Sequence, residues 1–235
     1  MALGIQGIYD VDTVQRLPLG TRVRLADGRA FVYGKAGAVQ LAYGKLNQGP
    51  VFDTTNAKDR AVTANVAVGD RSIKVTFGAA VTANQYAGGI VWVNDDTGEG
   101  EAYTIKTHAA GTTGVELHIY EKVRVAITAG AGTCSVVANP FNGVVICPTT
   151  LTSQVVGVAP VTVPIANYAW FQTAGPCALL TNGTIVVGNT VEASATTGGA
   201  VDPTAETTYG TPLGQVIMAN ASTEYSLVNL AIPGT

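Results

Sequence analysis

The stretch VVGVAPVTVPIANYAWFQTAGPCALL, residues 155–180, contains the strongest indications of the fold. It has no charged residue, and short runs of Val, Ile and Thr are broken in it by Gly and Pro. β-branched and aromatic residues in such runs favour strands, whereas a proline does not fit inside a central strand ladder. Pro160 and Pro164 therefore predict a link along a sheet edge or between two strands. A stretch this apolar forms either a dry core or a surface that another part of the protein or a partner covers.

The same pattern extends over most of the 235 residues. No helical period of apolar residues is sustained, whereas short β-like runs recur between Gly, Pro, Asn and Asp. The sequence therefore predicts an all-β protein with two β-sandwich or barrel-like units, preceded by an extended N-terminal arm with a hairpin. The predicted bounds are 1–60 for the arm, 61–147 for the first β domain and 148–235 for the second.

Two segments predict particular strands. In TRVRLADGRAFVYGK, residues 21–35, the pair Asp27-Gly28 predicts a hairpin with a tight primed turn, which needs two positive φ angles. In GIVWVN, residues 89–94, both alternating faces are apolar. Such a strand is expected at the centre of a sandwich or barrel, where both of its faces are covered.

Charge is scarce and unevenly distributed. Charged residues make up 12% of the chain, about half of the ~25% found in ordinary soluble domains. Every Lys and Arg lies between Arg16 and Arg124, and residues 16–60 hold eight basic but only three acidic residues. After Arg124 the chain has four acidic residues and neither Lys nor Arg. This asymmetry predicts that the two regions face different surroundings.

The C-terminal part of the chain carries an ordered series of features. They are Gly157-Val158-Ala159, Tyr168-Ala169-Trp170-Phe171-Gln172-Thr173, Asn182-Gly183, Val187-Gly188-Asn189, Gly199-Ala200-Val201 and Leu213–Ala219. This order of strands, glycines and turns resembles the β-barrel-like domains of tailed-phage capsid decoration (cement) proteins and related head auxiliary proteins. The resemblance covers roughly residues 143–235, and residues 1–142 match it only loosely.

The resemblance implies a non-enzymatic virion protein on the outer surface of the capsid, assembled in the host cytoplasm. Its expected partners are the major capsid protein and further copies of itself, most simply in a trimer. The composition favours the same function, because a β protein so poor in charge exposes strand edges and apolar patches that symmetric assembly covers. Neither nucleic acid nor a membrane is expected as a partner.

Two groups of residues are predicted to form the contacts. Basic side chains of the N-terminal part are expected to dock on an acidic capsid surface, with ordinary solvated charges as the alternative. These residues are Arg16, Arg22, Arg24, Arg29, Lys35 and Lys45. The aromatic cluster Tyr168, Trp170 and Phe171 is expected at the oligomer interface. A purely structural place in the core is the alternative for Trp170.

No catalytic residue is predicted. His108 and His118 lie in no metal-binding or catalytic spacing, so both are expected to be structural or exposed. The acidic segment 95–101 offers carboxylates for a hard cation such as Ca²⁺, but it lacks the spacing of a calcium loop. A solvated turn is therefore the favoured interpretation, and neither a metal nor a cofactor is expected.

The three cysteines, Cys134, Cys147 and Cys177, are expected to be buried and reduced, with a Cys134–Cys147 disulfide left open. The N-terminus lacks the basic and apolar regions of a signal peptide, and no apolar run reaches the ~20 residues of a membrane span. The chain is therefore expected in a cytoplasm or in a particle assembled there.

Three other functions remain open from the sequence. A phage tail, baseplate or receptor-binding protein has a similar composition. A carbohydrate-binding module or polysaccharide-acting enzyme is the second alternative, with Trp92 or Trp170 stacking on sugar rings. A bacterial surface-layer domain is the third, and the missing signal peptide disfavours it.

Overall fold

The computed structural model describes residues 6–204 and 211–234, and none of these residues is helical. The chain divides into two compact units. The split unit combines the residues up to Val51 with those from Pro140 onward, and the inserted unit is Phe52–Asn139. Each unit is a barrel-like β-sheet, which confirms the predicted all-β class with two β units.

Sixteen strands are present in the described residues. They are β1 (Arg22–Arg24), β2 (Ala30–Ala36), β3 (Leu46–Gln48), β4 (Arg60–Ala61), β5 (Ser72–Val75), β6 (Ile90–Asp95), β7 (Ala102–Thr107), β8 (Val115–Ile119), β9 (Thr133–Val137), β10 (Asn142–Ile146), β11 (Val155–Val158), β12 (Tyr168–Leu180), β13 (Thr190–Ala193), β14 (Val201–Pro203), β15 (Gly214–Met218) and β16 (Tyr225–Ala231).

Five strands of the split unit close into a ring. Their order is β2, β10, β3, β11 and β12, and β12 pairs antiparallel with β2 to complete it. Val32, Val144, Val156 and Phe171 belong to one buried apolar cluster contributed by these strands. The ring therefore encloses a core of alternate side chains, as small barrels do.

The long strand β12 takes part in two layers of the split unit. Residues 168–174 pair with β2, and residues 174–180 pair with β16. Beyond β16 the sheet continues through β15, β13 and β14 around a second buried cluster. Pro160 and Pro164 lie between β11 and β12, outside both strands, so the expected position of these prolines is confirmed.

The domain bounds differ from those expected. The predicted arm 1–60 is not separate over its described residues, because β2 and β3 are members of the ring, with β3 between β10 and β11. The ring cannot close without their main-chain hydrogen bonds. The basic segment and the C-terminal segment without Lys or Arg therefore lie mostly in one unit, and their facing different surroundings stays a prediction.

The predicted hairpin is present, but its turn is different. Strands β1 and β2 pair antiparallel, and the Leu25 N–H donates to the Arg29 carbonyl. Within this loop Gly28 has a positive φ of 88°, whereas Asp27 does not. A three-residue loop with one left-handed glycine therefore replaces the expected two-residue primed turn.

The inserted unit has its own sheet and core. The strand order is β4, β9, β6, β7, β8 and β5, and a bridge between Val62 and Val75 brings the two ends together. Strand β6 is central, as expected, and its Val91 and Val93 are fully buried. The prediction that both faces of β6 are covered is wrong, because on the other face Ile90 is 36% exposed and Trp92 is half-buried. An antiparallel sheet tolerates one face in water.

Candidate functional site

The aromatic cluster of β12 is covered by the chain itself. Alternation along the strand turns Phe171 into the ring, where it is fully buried, and Trp170 outward. Trp170 is nevertheless only 2% exposed, because it packs with Phe31, Tyr33 and side chains from residues 6–20. We call residues 6–20 the N-terminal cover. The Trp170 indole meets the Tyr33 ring edge-on, with centroids 5.2 Å apart.

Hydrogen bonds hold the N-terminal cover to the sheet. The indole Nε1–H of Trp170 donates to the Gln6 carbonyl at 2.9 Å, and the Tyr33 hydroxyl donates to Gln6 Oε1 at 2.9 Å. Gln6 Nε2 donates to the Tyr168 carbonyl, and Asp12 and Tyr168 exchange both main-chain bonds. The apolar outer face of β12 is thus covered by residues of the same chain, and these hydrogen bonds hold the cover in place.

This arrangement corrects the expected oligomer interface. Trp170 and Phe171 are buried in their own chain, so neither offers a surface to a second copy. The core alternative for Trp170 was right. Tyr168 is half-buried, stacked on Tyr33 at 6.1 Å and lying beneath the Lys35 ammonium at 5.4 Å.

The six predicted docking residues do not share one kind of environment. Arg16 pairs with Asp12, and Arg29 pairs with Asp27 at 2.8 Å, so both are bound inside the chain. The other four lie as follows: Arg22 donates to the Gly234 carbonyl, Lys35 lies over Tyr168, Arg24 is exposed on β1, and Lys45 is half-buried at the start of β3. Arg16, Arg22 and Arg24 are all exposed, but Arg16 is paired with Asp12, whereas Arg22 and Arg24 lie on β1, a strand at one end of the sheet order.

Main-chain hydrogen bonds, together with the arginine partners, lower two carboxyl pKa values in this region. The pKa of Asp27 lies below its ordinary value, first because the Arg29 main-chain N–H donates to the carboxylate and second because the guanidinium does. The pKa of Asp12 is lowered in the same way by the Val14 N–H and by Arg16. Both carboxylates therefore stay charged at neutral pH and offset their arginines.

Four exposed aliphatic side chains lie on two hydrogen-bonded segments of the sequence part without Lys or Arg. Val186 and Val187 are 54% and 61% exposed, and Ile217 and Met218 are 42% and 60% exposed. The turn that carries the two valines is fixed to β15, because the Gly188 N–H donates to the Val216 carbonyl and the Val216 N–H to the Asn189 carbonyl. We call these four residues the apolar corner.

The apolar corner has no charge in its own segments. Residues 180–191 and 213–223 contain no Asp, Glu, Lys or Arg. Single exposed apolar side chains are common on proteins, whereas a large contiguous exposed apolar patch is typical of an interaction surface. No sequence motif marks this group, because its two segments lie far apart in the chain.

A half-open cleft of about 290 Å³ lies elsewhere on the split unit. Its lining includes Tyr9, Arg29, Tyr43, Gln172 and Tyr225. We call it the tyrosine cleft. The residues come from five separate segments, so sequence spacing does not bring them together, and none of these tyrosines stands in a recognisable motif.

The two histidines differ in their surroundings. His108 is buried, and its Nε2 accepts the Tyr86 N–H at 3.1 Å while its Nδ1 lies 2.8 Å from the Ala109 carbonyl. This pattern places the proton on Nδ1. His118 is exposed on β8. The expectation of one structural or exposed role for each histidine is confirmed.

The acidic segment 95–101 forms a turn between β6 and β7. Asp95 accepts the Asp96 N–H, and Glu101 accepts from both Arg124 and the Tyr103 hydroxyl. Within residues 6–204 and 211–234, no group of three His, Cys, Asp or Glu side chains is arranged to hold a metal ion.

The three cysteines are buried and free, as expected. The Cys134–Cys147 disulfide that the sequence left undecided is not formed. Burial raises the pKa of each thiol to about 12. The thiols are therefore protonated at neutral pH, and a protonated thiol is a poor nucleophile.

We expect these thiols to make the protein sensitive to alkali. Unfolding exposes them, so their pKa falls from about 12 toward the ordinary 9.0 and each unfolded thiol releases a proton in between. The free energy of unfolding should then fall as pH rises from about 9, by up to ~1.4 kcal/mol per thiol per pH unit. Urea unfolding at pH 7.5 and at pH 10 measures this. Cys177→Ala should make the fall shallower, and an unchanged free energy at pH 10 would contradict the assigned burial.

No helix that is long and apolar enough to cross a bilayer occurs in the described parts of the chain. Comparison with known proteins gives no relative: no protein-family model, no curated protein and no solved structure matches this chain.

Proposed function

We propose that this chain is a non-enzymatic virion protein that binds the outer surface of a phage capsid as an oligomer and bridges capsid subunits to stabilise the head. The observation that carries the proposal is the apolar corner, a group of four exposed aliphatic side chains without nearby charge in sequence. It takes the place of the aromatic cluster as the surface on which copies of the chain pack together.

The states of the buried histidine and of the three thiols favour binding over catalysis. The buried histidine is occupied by main-chain hydrogen bonds, and all three thiols are protonated. Rigid β units that present surfaces rather than reactive groups suit a structural role. A ligand that binds only the assembled shell stabilises it by RT ln(1 + [L]/Kd), about 2.7 kcal/mol per site at a hundredfold excess over Kd.

Arg22 and Arg24 are the most suitable of the basic residues for docking. Both are exposed on β1, which stands at one end of the sheet order. Arginine pairs bidentately with carboxylates, so this strand suits an acidic capsid surface. Each exposed pair adds only ~0–1 kcal/mol, and an oligomer multiplies such contacts.

The oligomer is tested first, by light scattering on the purified full chain. We expect a trimer, which Val187→Asp with Met218→Asp converts to a monomer because two carboxylates would be buried in an apolar contact. Val68→Asp is the matched control, since Val68 is 65% exposed in the inserted unit and its substitution should leave the mass unchanged. A monomeric wild type would overturn the oligomer proposal.

The location is tested on intact particles with an antibody against the chain. Label over the head, reduced in particles that carry Arg22→Glu with Arg24→Glu, supports capsid docking. Conservative Arg22→Lys with Arg24→Lys should retain most of the label. Label on the tail would overturn capsid binding and favour a tail or receptor-binding protein.

A further inference from the structure

The tyrosine cleft has two aromatic walls that are exposed to solvent. Tyr43 and Tyr225 are 57% and 37% exposed, and their rings stack with centroids 5.9 Å apart at an interplanar angle of 22°. Tyr9, 54% exposed, also lines the cleft. Three large aromatic side chains thus remain in water around one concave surface, although rings of this size gain much free energy from burial.

Glycines fix the positions of the walls. Gly44 has a φ of +64°, and a Cβ there would lie 2.5 Å from Tyr225 Cε1 and 3.2 Å from the Ala178 carbonyl oxygen. Gly175 has a φ of +83°, and a Cβ there would lie 2.9 Å from Arg29 Cα. Tyr225 and Arg29 therefore lie against main chain where only glycine fits. Because its walls are already in position, such a cleft would lose little conformational entropy when a ligand binds.

The polar groups of the cleft are held in place by hydrogen bonds, but not all of their donors are used. Arg29 donates from Nη1 to the Tyr9 hydroxyl at 2.8 Å and from Nε to Asp27 at 2.8 Å. A guanidinium has five N–H donors, so donors remain for a ligand. Asp27 offsets the charge of Arg29, and Arg29 is the one charged residue that lines the cleft within residues 6–204 and 211–234. The cleft thus offers hydrogen bonds without net attraction for an ion.

We infer that the tyrosine cleft binds a neutral pyranose sugar. Such a ring has an apolar C–H face, which suits a tyrosine ring, and hydroxyl groups at its rim, which suit Arg29 and the tyrosine hydroxyls. The volume of about 290 Å³ is at the lower end of ligand pockets, so one or two sugar rings fit and an extended chain does not.

The cleft holds the sugar rather than hydrolysing it. Glycoside hydrolysis uses a pair of carboxylates, and among the described residues no Asp or Glu lines the cleft. The Cys177 thiol does line it, but burial keeps that thiol protonated at neutral pH. This binding site shares no residue with the apolar corner and does not depend on the proposed capsid role.

Saturation-transfer NMR on the full chain tests the inference. The probes are the methyl glycosides of glucose, galactose, mannose and N-acetylglucosamine at about 10 mM, a concentration that detects binding with a Kd in the millimolar range. We expect signal transfer to the C–H protons of at least one glycoside. Tyr43→Ala and Tyr225→Ala should each weaken that binding at least about tenfold, whereas Tyr43→Phe should retain it because the ring face remains.

Tyr120→Ala is the matched control, since Tyr120 is 56% exposed on the inserted unit and should not affect binding. Circular dichroism of each variant shows that the fold is intact. The inference is overturned if no neutral glycoside binds, if Tyr120→Ala abolishes binding as Tyr43→Ala does, or if only methyl glucuronide or a polyproline peptide binds.

Discussion

Replacing Trp170 with alanine is expected to lower the free energy of unfolding of the split unit by about 3–5 kcal/mol, the range for truncating a fully buried large aromatic side chain. The indole is 2% exposed, meets Tyr33 edge-on and donates a hydrogen bond to the Gln6 carbonyl. Its loss opens a cavity beneath the N-terminal cover and leaves a buried carbonyl without its donor. Urea unfolding followed by circular dichroism gives the free energy, and hydrogen exchange of residues 6–20 should become faster.

Trp92→Ala is the natural control for this substitution. Trp92 is half-buried on the outer face of β6, so its truncation should cost less than about 2 kcal/mol. A Trp170→Ala protein that is as stable as the wild type but has lost its oligomeric state would restore Trp170 to the interface and refute its assignment to the core.

Gly89→Ala is expected to destabilise the inserted unit by at least about 3 kcal/mol, at the upper end of overpacking effects. A Cβ at Gly89 would lie 2.1 Å from the Val137 carbonyl oxygen, which belongs to β9. That oxygen is main chain, so it cannot swing away as a flexible side chain does. The clash separates β6 from β9 where Ile90 and Val137 pair. Hydrogen exchange by mass spectrometry should show lost protection in both strands.

Gly130→Ala separates a clash from backbone strain. Gly130 has a φ of +79°, yet a Cβ there would meet nothing within 4 Å. Its replacement should cost only the ~1–2 kcal/mol of a left-handed alanine. Equal decreases in the free energy of unfolding for Gly89→Ala and Gly130→Ala would show that the close approach at Gly89 relaxes at little cost.

Local patterns predict the strands of this protein well. β-branched and aromatic runs around residues 90–95 and 168–173 form β6 and the first part of β12, and the prolines before β12 lie outside it. Strand type depends on side-chain period and turn residues, both of which are local. The turn at Gly28 marks the limit of such reasoning, because one Asp-Gly pair is compatible with two loop lengths.

The arrangement of these strands depends on distant partners and was not predictable in the same way. Residues 6–20 have no alternating pattern, so they resemble a free arm in sequence, although they cover Trp170. The pairing of β3 with β10 joins segments on either side of the inserted unit. The tyrosine cleft and the apolar corner are likewise assembled across long separations, which no spacing rule captures.

The insertion also imposes an order on synthesis. Residues 30–48 leave the ribosome before Phe52–Asn139, whereas the strands they pair with follow after it. At ~5–20 residues per second the first two ring strands wait roughly 5–20 s for their neighbours. The inserted unit meets no such delay, since all its strands are contiguous in the nascent chain. The protein is therefore completed from the middle outward, and the early apolar strands need protection until the residues from Pro140 onward emerge.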